Sequence, residues 1–257
     1  MNVENERGEA MWLKLAKKQA LALRKTNLRV DLRVYASDPA ITSDPSQSMG
    51  MVDSLLHSAI MRGLDVIGVV SPDTPDVGWK AQALAKQKNL DLAVIPGEDY
   101  STSDGMKLMV YLLKQPMPLN LDSEQAIEYA HSQRGFVMAC NLSKRFAHKL
   151  EKFRGTPSAP DAIELYNAVS GAFHDIEIPQ GYPLFITSGA VNPTKLEQMK
   201  TFTVIPRQDI EGMGLLGEGH GMEYTPSYLL PKGPDGMPVS EMPPVEVETP
   251  ASPNMIP

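Results

Sequence analysis

The chain contains a single cysteine, Cys140, in 257 residues. One thiol excludes an internal disulfide framework and a zinc site built from several cysteines, so no mark of an oxidising compartment is present. Long apolar runs are also missing, and none approaches the length needed to span a bilayer. The opening residues, Met-Asn-Val-Glu-Asn-Glu, lack the basic-then-apolar order of a secretion signal, which makes a cytoplasmic protein the default expectation. Excess basic charge is lacking too. With 24 Lys and Arg against 31 Asp and Glu the net charge is -7, and the isoelectric point is near 5.3. That balance argues against nucleic-acid binding through the overall field and fits acidic solubility.

What is present is length enough for one large α/β domain with extensions and a full core. Residues 28–35, Leu-Arg-Val-Asp-Leu-Arg-Val-Tyr, alternate apolar and charged side chains and end in a loop with Ser37, Asp38 and Pro39, the pattern of a strand opening onto a working surface. Before it, residues 6–25 read as a helix rich in Ala, Leu, Lys and Gln, with Trp12, Leu15, Ala16, Ala22 and Leu23 at helical spacing. Packing on the barrel or on a partner accounts for that face better than membrane-surface binding in an acidic chain. After it, helices predicted at 49–62, 77–88, 123–133 and 144–153 alternate with strands at 64–70, 90–96, 107–113, 135–140, 162–166, 183–187 and 201–206. Strands 64–70 and 90–96 are nearly continuous apolar runs, as in parallel sheets buried on both faces. Such alternation predicts a parallel sheet or barrel with functional residues at the carboxyl ends of the strands. From about Gln208 the periodicity fades and prolines crowd the end, which predicts an extended tail. The reading is therefore a helical extension at 1–26, a barrel at 27–207 and a Gly/Pro-rich tail at 208–257.

Several motifs in order resemble those of the PHP (polymerase and histidinol phosphatase) family. The strand ending in Arg33 and Tyr35 resembles its first motif. Gly63 to Val70 followed by Ser71-Pro72-Asp73-Thr74 resembles the second. Val94-Ile95-Pro96-Gly97-Glu98 followed by Ser101-Thr102 resembles the third, and Asp161 to Asn167 resembles a late family strand. The resemblance spans about Arg29 to Asn192 and implies a distorted seven-stranded (β/α) barrel. It also implies two or three metals at the strand ends, used to hydrolyse phosphoesters. Carried over residue by residue, most of the ligands are replaced. Arg33 and Tyr35 stand for a pair of histidines, Pro72 for another, Cys140 and Asn141 for His-Pro, and Ala190 with Asn192 for a closing Asp-x-His. Glu98 remains as a ligand type, with Asp73 beside a lost one.

A guanidinium cannot coordinate a metal and repels a cation placed beside it. Arg33 is therefore expected to fill the vacated site and pair with Glu98. The expectation is a barrel without metal or cofactor and without catalysis, a structural or interaction subunit docking on a protein partner or a second copy through the N-terminal helix and the tail. Two alternatives stay open. One is a phosphoesterase holding one metal on Glu98, Asp73 and Cys140 or Asn192. The other is a small-anion module using Arg33, Ser71, Ser188 and Asn192.

Other features carry less. Gly212, Gly214 and Gly217 spell G-x-G-x-x-G after a strand, but no helix and second parallel strand follow, so a flexible loop is expected. The histidines, His57, His131, His148, His174 and His220, fall in predicted helices and loops and form no metal motif. Cys140 reads as a buried thiol, and the methionines of the tail suit a partner's grooves.

Overall fold

The computed structural model describes residues 26–36, 45–72, 74–173 and 181–216. The expected helix at 6–25, Asp73, Gly217, His174, His220 and the tail beyond 216 lie outside the described residues.

Strands β1 (Asn27–Tyr35), β2 (Val66–Pro72) and β3 (Ala93–Ser101) run parallel. They are joined by helices α1 (Pro45–Met61) and α2 (Asp76–Gln87). Here the sequence expectation holds, because apolar runs such as Val66 to Val70 are buried on both faces, as a covered parallel sheet requires. The next strand departs from it. β4 (Lys107–Tyr111) is antiparallel to both β3 and β5 (Phe136–Cys140). The link from β3 is a tight turn in which the Met106 N–H donates to Thr102 Oγ1 at 2.8 Å and Gly105 takes a φ of 89°. No crossover helix fits in so short a link, so the chain reverses.

Helix α3 (Ser123–Ser132) precedes β5, and α4 (Lys144–Phe153) leads from it to β6 (Ala162–Asn167), which is parallel to β5. Asp122 caps α3 in a capping box with Gln125, which fixes where that helix begins. A two-residue β7 (Ala172–Phe173) folds back on β6, and β8 (Leu184–Thr187) pairs with β6 in parallel. A short helix α5 (Pro193–Gln198) follows, then β9 (Thr203–Pro206), which is antiparallel to β1. The sheet nearly closes into a barrel. Beyond β8, the Tyr35 N–H donates to the Ala190 carbonyl at 2.8 Å, and Thr203 Oγ1 accepts from Ile186 N at 2.8 Å, tying β9 to β8.

Apolar side chains divide by strand face. Leu28, Val30, Leu32, Val66, Ile95, Met109, Met138, Phe185 and Ile205 fill the barrel. Two outer layers hold it: Val110, Val137 and Ile163 against α3 and α4, and Val34, Ile67, Val69 and Val94 against α1 and α2. Burying side chains of this size on both faces supplies the main driving force for the fold. One stretch assigned to the tail is a correction. Arg207–Gly212 forms helix α6, and its Ile210, with Leu215 beyond it, packs into the cluster that fills the barrel. Ile210, Met213, Leu215 and Leu216, interrupted by Gly212 and Gly214, make too short a run to carry a periodic signal.

Candidate functional site

The site is set by an irregularity in the first strand. Between the pairs Asp31–Ile67 and Val34–Val69, β1 contains one residue more than β2. This bulge switches the inward-facing series from Leu28, Val30 and Leu32 to Arg33 and Tyr35, so both polar side chains enter the barrel mouth. Gly68 makes room for it. A Cβ at that position would lie 2.3 Å from the Leu32 carbonyl oxygen, so only glycine fits the close approach. The same carbonyl accepts from the Tyr111 hydroxyl across the barrel. A second bulge, in β6 opposite β8, lies between Glu164 and Tyr166. It brings Glu164 and Asn167 onto the same side, with Asn167 Nδ2 donating to Glu164 Oε1 at 3.4 Å.

Two charge centres occupy the mouth. In the first, Arg33 Nη1 donates to Glu164 Oε2 at 2.8 Å, with the side chains 8% and 0% exposed. Nη1 also approaches Asn141 Oδ1 at 3.4 Å, and Nε donates to the Tyr35 hydroxyl at 3.2 Å. Thr187 Oγ1 donates to Glu164 Oε1 at 2.5 Å. In the second, the Tyr35 hydroxyl donates to Asp99 Oδ2, while Lys107 Nζ reaches Asp99 Oδ1 at 2.5 Å and Ser101 Oγ at 3.0 Å. Burial pushes the Tyr35 phenol up, against the pull of Arg33 and with Asp99 adding to it, so the phenol keeps the proton it donates. Cys140 lies beside this network. Burial pushes its thiol well up, with Glu164 reinforcing the effect, so it is a neutral, inert group.

Above these groups opens a cavity of about 370 Å³, lined by Arg33, Tyr35, Pro72, Asp99, Lys107 and Asn141 on one side and by Asn167, Val169, Ser170, Gly189 and Val191 on the other. A larger cavity of about 540 Å³ lies on the outer layer between α1 and α5. There Lys88 pairs with Asp53 at 2.5 Å, and Glu197 accepts from the Ser58 hydroxyl at 2.8 Å.

The expected pair between Arg33 and Glu98 does not form. Glu98 alternates out of the barrel: it is fully buried on the outer face of β3, where Oε2 accepts from the Met117 N–H at 3.1 Å. Its neighbour Asp99 is the β3 carboxylate that faces the mouth, and Glu164 of β6 is the one that meets Arg33. Of the remaining residues singled out, Pro72 lines the cavity, and Ala190 supplies the closing backbone bond to β1. The three polar residues expected beside Arg33 are committed elsewhere. Ser71 Oγ donates to the Thr74 carbonyl at 2.5 Å. Ser188 donates its N–H to Asp31 Oδ1 at 3.0 Å and accepts from Ala190 N at 3.1 Å. Asn192 caps α5 by accepting from Lys195 N at 2.8 Å. Sequence reasoning missed Asp99, Lys107 and Glu164 as site residues. Strict alternation along β3 places Ile95, Gly97 and Asp99 on one face and was a usable signal; the bulges were not.

A metal cluster does not fit this donor set. The carboxylates that face the mouth, Asp99 and Glu164, already carry cationic partners, and a fixed guanidinium sits between them. Among the described residues no group of three or more His, Cys, Asp or Glu side chains is placed to hold a metal ion.

No family model and no curated protein matches the chain. Solved structures do. A two-domain protein from Bacteroides vulgatus ATCC 8482, described as containing a predicted PHP-like metal-dependent phosphoesterase, superimposes with a TM-score of 0.52 at 15% identity over 73% of this chain. The match spans 62% of that protein's length. At this identity the likeness concerns the fold, and the fold is a mixed α/β, nearly closed barrel of PHP-like type.

Proposed function

We propose that this chain is a PHP-like barrel that does not hydrolyse phosphoesters and serves as a structural or interaction subunit. One observation carries the reading: the ion pair between Arg33 and Glu164 at 2.8 Å, buried where strand ends open into the cavity. Metal-assisted hydrolysis needs a cation to polarise the phosphoryl oxygen and lower the pKa of a bound water. At this mouth the fixed positive charge is a guanidinium, which orients and neutralises an anion but gives no activated water. Glu98, the ligand type kept from the family pattern, is turned away from the cavity and held by the Met117 backbone. Among the described residues no helix is long and apolar enough to cross a membrane.

The test is metal content, measured by elemental analysis on protein purified without chelator and again after incubation with manganese, zinc and iron. The expected result is well under one metal per chain in every condition. Stoichiometric metal that falls in Asp99→Asn or Glu164→Gln would overturn the reading and direct attention to phosphoesterase assays.

A further inference from the structure

We propose that the barrel mouth binds a small molecule through an oxyanion, a carboxylate or phosphate, received on the outer edge of the Arg33 guanidinium. The inference rests on the reading above, in that it takes the mouth to be free of metal, and goes beyond it by giving the cavity a ligand. A guanidinium has five N–H donors. Among the described residues Arg33 spends those of Nε and Nη1 on Tyr35, Asn141 and Glu164. The side chain is only 8% exposed, and it lines the cavity. Nη2 thus makes no hydrogen bond among the described residues, on a side chain that lines the cavity and is fixed by partners at Nε and Nη1.

Two further donors converge on the same space. Lys107, whose side chain is 30% exposed, directs its ammonium at Asp99 and Ser101 and keeps a third N–H for the cavity it lines. Asn141 turns Oδ1 toward Arg33 at 3.4 Å, which orients its Nδ2 donors away from the guanidinium. The carboxylates that would repel an anion, Asp99 and Glu164, are each neutralised by a cation at 2.5 Å and 2.8 Å. With Glu164 paired to Arg33 and Asp99 to Lys107 the four charges sum to zero, so an anion is held by N–H donors already fixed in direction, as guanidinium edges hold planar or tetrahedral oxyanions. The apolar walls, Pro72, Val169 and Val191, suit the carbon part of a small ligand, and about 370 Å³ lies at the lower end of the range of about 300–1,000 Å³ for such sites.

The experiment titrates the folded chain, in EDTA and at ionic strength matched with sodium chloride, with inorganic phosphate in one arm and succinate in the other, read by calorimetry and by backbone amide chemical shifts. Saturable binding in at least one arm is expected, with a Kd of about 1 mM or tighter, and the arm that binds names the group. Two variants locate it. Asn141→Asp turns a carboxylate toward Arg33 without touching the buried pair and should weaken binding about tenfold or more. Arg33→Met combined with Glu164→Gln removes both charges together and should abolish it. Absence of saturable binding in both arms, or affinity unchanged in either folded variant, overturns the proposal. If the chain also binds no manganese, this inference alone fails. If it binds stoichiometric manganese and takes up phosphate only then, the non-hydrolytic reading fails with it.

Discussion

The mouth and the β3–β4 turn hold the same kinds of groups under opposite conditions. At the turn, Asp104 accepts from Lys149 at 2.6 Å, Thr102 at 2.5 Å and Ser123 at 2.9 Å. The Asp104 and Lys149 side chains keep 18% and 31% of their surface in water. Burial would raise the Asp104 carboxyl, but these donors outweigh it and hold the group well below the usual carboxylate range. The cluster ties the turn to the start of α3 and to α4 at small desolvation cost, so its role in the fold accounts for it. At the mouth, Glu164 is fully buried and Arg33 nearly so. Removing two such charges from water costs several kcal/mol per ion, and apolar side chains of similar volume would hold a barrel together as well. The difference teaches where to look for function: a half-exposed ion pair is explained by the elements it joins, whereas a buried one beside an open cavity is not.

The largest effect should come from breaking the buried pair on one side. Arg33→Met leaves the Glu164 carboxylate in the barrel without its countercharge, and urea denaturation at neutral pH should show a loss of about 3–5 kcal/mol. Adding Glu164→Gln removes the stranded charge, so the double variant should recover most of the stability. A double variant no more stable than Arg33→Met would mean that the pair itself, and not the uncompensated charge, holds the mouth together, and the contrast with the Asp104 cluster would fail.

A second way to break the comparison acts on the backbone that aims Arg33. Gly68→Ala puts a Cβ against the Leu32 carbonyl at 2.3 Å, a backbone atom that no rotamer change can move. Overpacking of this kind costs about 1–3 kcal/mol or more and should flatten the bulge, disturbing the Arg33 and Tyr35 resonances. Gly50→Ala, in α1 with nothing within 4 Å of the added atom, is the control and should raise stability by about 0.5–1 kcal/mol. Equal effects at both glycines would show that the bulge is not held by that contact.

The alternation of helices with apolar strands made the barrel legible, because each strand needs both faces covered and each short link leaves few ways to connect them. α4 was legible in both of its boundaries, at Lys144 and Phe153. The direction of β4 was missed although its link carries a signal, the pair Asp104-Gly105 between two apolar runs, which favours a tight turn joining antiparallel strands. At the site, Arg33 and Tyr35 were legible as the polar end of the first strand. Their partners lie 64 and 131 residues away in sequence; Asp99 was within reach of strict alternation along β3, whereas Glu164 was not, because the bulge in β6 resets the period of two. Choosing Glu98 over Asp99 was an error of one residue, and in a strand one residue reverses the face.

The smallest predicted effect sharpens the comparison from the exposed side. His131, near the end of α3, places Nε2 3.1 Å from Asp161 Oδ2 and Nδ1 2.9 Å from the Pro157 carbonyl. With an acceptor on each ring nitrogen, the doubly protonated imidazolium fits best. The Asp161 hydrogen bond raises its pKa above the ordinary value of 6.5 against partial burial, with Pro157 and the charges of Asp161 and Glu128 adding to the rise. A raised folded-state pKa means the stabilisation is fully present below the unfolded value and fades as pH climbs from about 6.5 through the folded one. The side chains are 28% and 37% exposed, so the contribution should stay below about 1 kcal/mol. His131→Gln should therefore lower Tm by a few degrees at pH 6 and by less at pH 8.5, while Asp161, which also accepts from the Val137 N–H at 2.7 Å, keeps its place before β6. A Tm difference that does not change with pH would remove the charge from the account and leave a staple of neutral hydrogen bonds.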